Sequence, residues 1–116
     1  MTTMSIDDYG KQAITTLLGE HDMQDIPATL VAQVFGLVGE SGEVAEKFKK
    51  IIRDKKGQIT ADDKAEIIKE LGDILWYVNA VAILLDSSLE EVASRNLEKV
   101  LSRKARGVTT GSGDNR

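Results

Sequence analysis

Two short acidic stretches carry the chemistry that can be read from this 116-residue chain: Glu40-Ser41-Gly42-Glu43 and Glu70-Leu71-Gly72-Asp73. Each sets two carboxylates three positions apart, the spacing that puts side chains on one face of a helix about a turn apart. One such pair is an ordinary solvated helix face. Two pairs on neighbouring helices can face one another, and four facing carboxylates repel unless they take up protons or hold a cation. Oxygen ligands of this kind suit a hard divalent ion such as Mg²⁺, which prefers carboxylates, water and phosphate oxygens.

The surrounding residues predict helices that could bring the pairs together. From Ala28 to Asp54, Leu30, Val34, Leu37, Val38, Val44, Ala45, Phe48, Ile51 and Ile52 repeat at helical spacing. Leu37, Val44, Phe48 and Ile51 form the apolar stripe, with Glu40 at its edge and Glu43 and Lys47 just beyond. From the Thr60 cap to about Leu85, a further helix has Ile67, Leu71, Ile74, Leu75, Val78, Val81, Ala82 and Leu85 as its apolar face, with Glu70 and Asp73 on the corresponding border and Tyr77 one turn further along. Packed stripe to stripe, the two helices would align their acidic edges. Gly36, Gly39 and Gly42 each weaken the first of these helices by about 1 kcal/mol relative to alanine. Close helix packing and room for a ligand both account for them.

Two more helices flank this pair. Ile6, Tyr9, Ala13, Ile14, Leu17 and Leu18 predict a helix from the Ser5 cap to a stop at Gly19, followed by a polar connection from Glu20 to Pro27 that holds His21. Leu89 to Ala105 form the last helix, for which Ser88 and Glu91 have capping-box spacing. Asn96, Lys99 and Arg103 share one of its sides, and its cationic end suits the helix dipole. Residues 107–116 are rich in Gly, Ser and Thr and read as a flexible tail. The domain is therefore expected over residues 1–106.

Composition narrows the function classes. A single proline and the absence of a convincing strand pattern favour an all-α fold. The net charge of −4 disfavours binding to a nucleic-acid backbone and favours cations. With no cysteine there is no disulfide framework, thiolate zinc site or cysteine nucleophile. No apolar run approaches the roughly 20 residues of a membrane span, and no basic-then-apolar leader opens the chain, so a cytoplasmic location is expected. A ferritin-like di-iron bundle needs Glu-x-x-His motifs, whereas the one histidine, His21, lies outside the helices. Ser/His catalysis lacks its histidine for the same reason.

The stretch Gly36-Leu37-Val38-Gly39-Glu40-Ser41-Gly42-Glu43-Val44-Ala45-Glu46, followed by Lys69-Glu70-Leu71-Gly72-Asp73-Ile74-Leu75-Trp76-Tyr77, resembles the MazG-like all-α nucleoside triphosphate pyrophosphohydrolases. Their signature is Glu-x-x-Glu, a spacer, and Glu-x-x-Asp; here the spacer is residues 44–69. The likeness extends to Asn96-Leu97-Glu98-Lys99 and Arg103. It implies a four-helix bundle completed by dimerisation, as a homodimer or a dimer-of-dimers tetramer. It also implies Mg²⁺, with Mn²⁺ able to substitute, at Glu40, Glu43, Glu70 and Asp73. The implied reaction converts a (d)NTP to (d)NMP and pyrophosphate in nucleotide-pool housecleaning. Glu40 or Glu43 would orient or deprotonate the attacking water. Tyr77, Asn96 and Lys99 match substrate-contacting positions, Arg103 would join Lys99 in stabilising phosphate charge, and Lys47 and Arg53 are weaker matches. A base could stack on Tyr77, Trp76 or Phe48. Sister activities, a dUTPase or a phosphoribosyl-ATP pyrophosphatase, share the signature, and a non-catalytic helical module that binds nucleotide or protein is the alternative from another class.

Overall fold

The computed structural model describes residues 3–19 and 25–116. Four α-helices follow one another: α1 (Ile6–Ala13), α2 (Ala28–Lys55), α3 (Ala61–Leu84) and α4 (Leu89–Arg106), with no strand among the described residues. This is the expected all-α fold. His21 lies outside the described residues.

The first helix is shorter than the apolar pattern predicts. After Ala13 the chain tightens into a 3-10 turn, Ile14–Thr16, and Leu17 is already extended. The hydroxyls of Thr15 and Thr16 donate to the carbonyls of Gln12 and Ala13 at 2.6 and 2.8 Å. Such local bonds compete with continued helix, and β-branching at Thr15 and Thr16 adds to the tendency to stop. Gly19, expected as the stop, has a left-handed φ of +68° but lies beyond the end of the helix, which closes at Ala13 and its 3-10 turn at Thr16.

Helices α2 and α3 form a hairpin that carries most of the packing, and the buried apolar residues among those described are Ile51 of α2 and Ile67 and Ala82 of α3. The turn between them is closely specified. The α2 helix ends where Lys56 and Gly57 turn left-handed, at φ 52° and 80°, and the Gly57 N–H donates back to the Ile51 carbonyl at 3.1 Å. Thr60 and Asp63 then make a full capping box, Asp63 N–H to Thr60 Oγ1 at 3.1 Å and Thr60 N–H to Asp63 Oδ2 at 2.9 Å. Lys55 Nζ reaches across from the end of α2 to both Asp63 oxygens, at 2.8 and 2.9 Å. These bonds hold the Asp63 carboxyl at about 2, the Lys55 ammonium being the first cause and the Thr60 N–H the second.

The helix α4 touches α3 and makes no contact with α2. Its cap is half of the expected box. Ser88 Oγ accepts from the Glu91 N–H at 3.1 Å, but the Glu91 carboxylate takes the Ser87 hydroxyl at 2.6 Å and Arg95 Nη2 at 2.8 Å instead of returning to the Ser88 backbone. The guanidinium four residues on and the neighbouring hydroxyl together outbid one backbone N–H. The tail, read from its composition as flexible, is folded back on the end of α4 in the structure, where Asp114 meets Lys99 and Arg103.

Candidate metal and nucleotide site

Helix α2 supplies Glu40 and helix α3 supplies Glu70 and Asp73, from the same side of the hairpin seam. One oxygen from each of these three carboxylates lies within 4.8 Å of the others. Glu40 and Glu70 are half-buried, because they border the apolar stripe, while Asp73 is exposed.

The electrostatics match that reading. The Glu40 carboxyl is pushed above its ordinary value of 4.5, first by a hydrogen bond shared with Glu70, then by burial, then by the charges of Asp73, Glu70 and Glu43. Carboxylates this close favour a shared proton unless a positive charge joins them. The chain offers one partial counter-charge: Lys47 Nζ stands 3.8 Å from Glu70 Oε1, both side chains being partly covered. The donor set is all oxygen and lacks His and Cys, which fits Mg²⁺ or Mn²⁺ better than zinc or copper.

Glu43, expected as a fourth ligand, is not in this group. It is exposed, and it acts on Glu40 only through its charge. The reason lies in the helix period: three residues beyond Glu40, Glu43 is turned a further 60° or so from the seam, toward solvent.

The acids open onto a cleft lined by Glu40, Asp73, Trp76 and Tyr77. Tyr77 is half-buried and packs edge-on against Trp76, with ring centroids 5.0 Å apart at 83°. Its ring lies where a side chain on Gly36 would be; a Cβ there would stand 2.8 Å from Tyr77 Cδ1 and overlap the neighbouring ring carbons. Gly36 therefore serves close packing, and it fixes the aromatic wall beside the acids. Gly39 and Gly42 have open space around them and make no such contact. Ser41 turns its hydroxyl back to the Leu37 carbonyl at 2.8 Å, away from any role as a nucleophile.

The cationic candidates lie elsewhere. Lys99 and Arg103 direct their charges to Asp114 of the tail, and Arg53 pairs with its neighbour Asp54 at 2.8 Å. Asn96 is exposed on α4. A single chain therefore brings Tyr77 and Lys47 to the acids but leaves Asn96, Lys99 and Arg103 on a helix that does not meet α2. Sequence reasoning missed Asp114 as a partner of these cations. The available signal was a lone acid in a tail of small residues that follows a cationic helix end.

Comparison with known proteins bears on the same residues. The model of the MazG nucleotide pyrophosphohydrolase domain matches residues 29–108, which include all of the acids, both cleft aromatics and the α4 cations. The chain belongs to the MazG family. The match begins at the second residue of α2 and ends just past α4. A curated relative, the Gene 37 protein of Mycobacterium phage L5, is 48% identical over 115 residues, covering 97% of this chain and 100% of the relative. No solved structure matches this MazG chain. None of its described helices is long and apolar enough to cross a membrane.

Proposed function

We propose that this MazG-family protein is a Mg²⁺-dependent nucleoside triphosphate pyrophosphohydrolase that converts a (d)NTP to (d)NMP and pyrophosphate, in the housecleaning of nucleotide pools. One observation carries the reading: carboxylates from two helices, Glu40, Glu70 and Asp73, converge beside a cleft lined by Glu40, Asp73, Trp76 and Tyr77, and their crowding pushes the Glu40 carboxyl up. Glu40, Glu70 and Asp73 would hold the divalent ion, with Mn²⁺ able to replace Mg²⁺. When bound, such an ion polarises a phosphoryl oxygen and lowers the pKa of a bound water.

The protein's own groups then have separate tasks. Glu43, one turn from Glu40 and outside the three-oxygen group, would accept a proton from the attacking water, with Glu40 as the alternative base. Lys47 orients Glu70 through their contact at 3.8 Å. Tyr77 and Trp76 give the nucleoside a surface against which to stack.

We also infer that the working form is a homodimer or a dimer of dimers. On the side of the α2–α3 seam away from the acids, Val38, Ile52, Leu71 and Leu75 are exposed by 66, 69, 50 and 53%. The chain exposes 9690 Å², against about 6,200 Å² expected of a compact monomer of its mass. A second copy seated on this aliphatic face would cover these side chains. Asn96, Lys99 and Arg103, which do not reach the acids of their own chain, would then complete a site shared between copies.

The test is a panel of canonical and damaged (d)NTPs incubated with Mg²⁺ or with EDTA, with products separated by anion exchange. Nucleoside monophosphate and pyrophosphate in equal amounts, only with the metal, support the proposal. A diphosphate with orthophosphate as products, or no turnover of any nucleotide, would refute it.

A further inference from the structure

The hollow beside the acids continues past its aromatic residues. Trp76 also lines a second groove, between the start of α2 and the last turns of α3, with Ala80, Ile83 and Leu84 in its wall and a volume of about 330 Å³. Small-molecule sites have volumes of this order and walls that are mostly apolar, with a few polar groups that fix orientation. Among the described residues no charged side chain lines this groove. Apart from the exposed Thr29, its polar groups are two carboxamides, Gln33 of α2 and Asn79 of α3.

Both carboxamides are out of keeping with their surroundings. Gln33 is the one polar residue between Leu30 and Leu37, and Asn79 stands alone among apolar and aromatic residues from Ile74 to Leu85. Each is half-buried. Neither has a hydrogen-bond partner among the described residues, unlike the Ser41 hydroxyl of α2, which turns back to the Leu37 carbonyl. A half-covered amide in an apolar wall forgoes bonds that water would make, and asparagine is also one of the weaker helix formers. An apolar side chain at either position would avoid both costs.

A carboxamide offers one donor beside one acceptor, so it pairs side-on with a flat, neutral ligand whose edge carries the same two groups. Nucleobases have such edges: N6 and N7 of adenine, N4 and N3 of cytosine, N3 and O4 of uracil, N1 and O6 of guanine. Their flat faces stack on an indole. Trp76 sets that surface in both hollows, next to the acids on one side and to the carboxamides on the other.

We propose that this groove is a base-reading site, in which Trp76 stacks on a nucleobase and Gln33 and Asn79 pair with an edge that sets a donor beside an acceptor. That the nucleoside carries a triphosphate rests on the function proposed above; recognition of the base does not.

Nucleosides without phosphate test this, in EDTA, so that neither a metal nor the α4 cations take part. Trp76 is the chain's one tryptophan, and its indole N–H resonance in the ¹⁵N-labelled full chain reports on the groove. Adenosine, cytidine, uridine and guanosine are each compared with a form that has lost the edge: purine riboside, pyrimidin-2-one riboside, N3-methyluridine and N1-methylguanosine. At least one of the four should shift the resonance, and loss of its edge should weaken binding roughly tenfold. Asn79→Leu and Gln33→Met, which keep side-chain size in an apolar wall, should each cut that preference at least about threefold. Gln58→Met, which alters an exposed carboxamide in the α2–α3 turn, should leave it unchanged. No shift with any nucleoside, as when a second copy or α1 covers the groove, would overturn the proposal, and so would a preference unchanged in both groove variants. Turnover of (d)NTPs with Mg²⁺ is measured on the same preparations. The predicted edge preference without turnover refutes the enzymatic reading alone, whereas turnover without the edge preference refutes the base-reading site alone.

Discussion

At the scale of single residues, charge crowding and close contact make opposite predictions for neighbouring positions. Because the folded state raises the Glu40 carboxyl above 4.5, folding favours its protonated form; that contribution is complete below pH 4.5 and is lost as the pH rises through the raised value. In EDTA at pH 7.5, Glu40→Gln is therefore expected to melt at a higher temperature than the natural chain, with the difference closing toward pH 4.5 by scanning fluorimetry. The same variant should lose most of the Mg²⁺-induced rise in melting temperature. Asp63 has the reverse sign. Its carboxyl is held at about 2, so the stability it adds is present above its ordinary 3.8 and is lost as the pH falls toward 2. Asp63→Asn should be less stable than the natural chain at pH 7, with the difference shrinking steadily as the pH falls through 3.8 toward 2 in urea titrations. The acids' spacing, their place at the edge of the stripe and the Thr60 cap were all legible in the sequence. That Glu43 turns away and that Lys55 holds Asp63 were not, because both depend on rotation of a few tens of degrees and on how the α2–α3 turn aligns residues eight apart.

At the scale of the helices, the glycines of α2 separate into two kinds. Gly36→Ala gains about 1 kcal/mol in helix propensity but drives the Tyr77 ring from its place. Overpacking of this sort costs about 1–3 kcal/mol, so a net loss of stability in urea is expected, together with weaker nucleotide binding because the aromatic wall shifts. Gly39→Ala meets nothing within 4 Å and should stabilise by about 0.5–1 kcal/mol. The reverse order of stabilities would contradict the account of how α2 and α3 fit. The periodicity of Leu37, Val44, Ile51 and Ile67 was enough to place α2 and α3. It overran α1, where the apolar pattern continues through Ile14, Leu17 and Leu18 while the Thr15 and Thr16 hydroxyls end the α-helix. Hydrophobic spacing reports which face could be buried, and local hydrogen bonding decides where the helix stops.

At the scale of the whole molecule, one chain encloses little: among the described residues, Ile51, Ile67 and Ala82 are the buried apolar ones. The proposed dimer is checked by light scattering on a sizing column, where the mass should be at least twice 12.7 kDa. Leu75→Glu, which sets a charge on the aliphatic face, should reduce the mass to one chain or leave the protein unfolded; a folded, monomeric natural chain would remove the argument for a shared site. The composition announced an all-α protein but could not show how few of its apolar side chains one copy covers, since periodicity marks a face without saying what lies on it. The acid cluster remains the centre of the account, and it has a direct test. Pyrophosphate release from a (d)NTP in the presence of Mg²⁺ is compared for the natural chain and Glu70→Gln, which keeps the side chain's shape and removes its charge. The account predicts metal-dependent release by the natural chain and a loss of roughly 100-fold or more in the variant; equal release by the two proteins, with or without the metal, would contradict it.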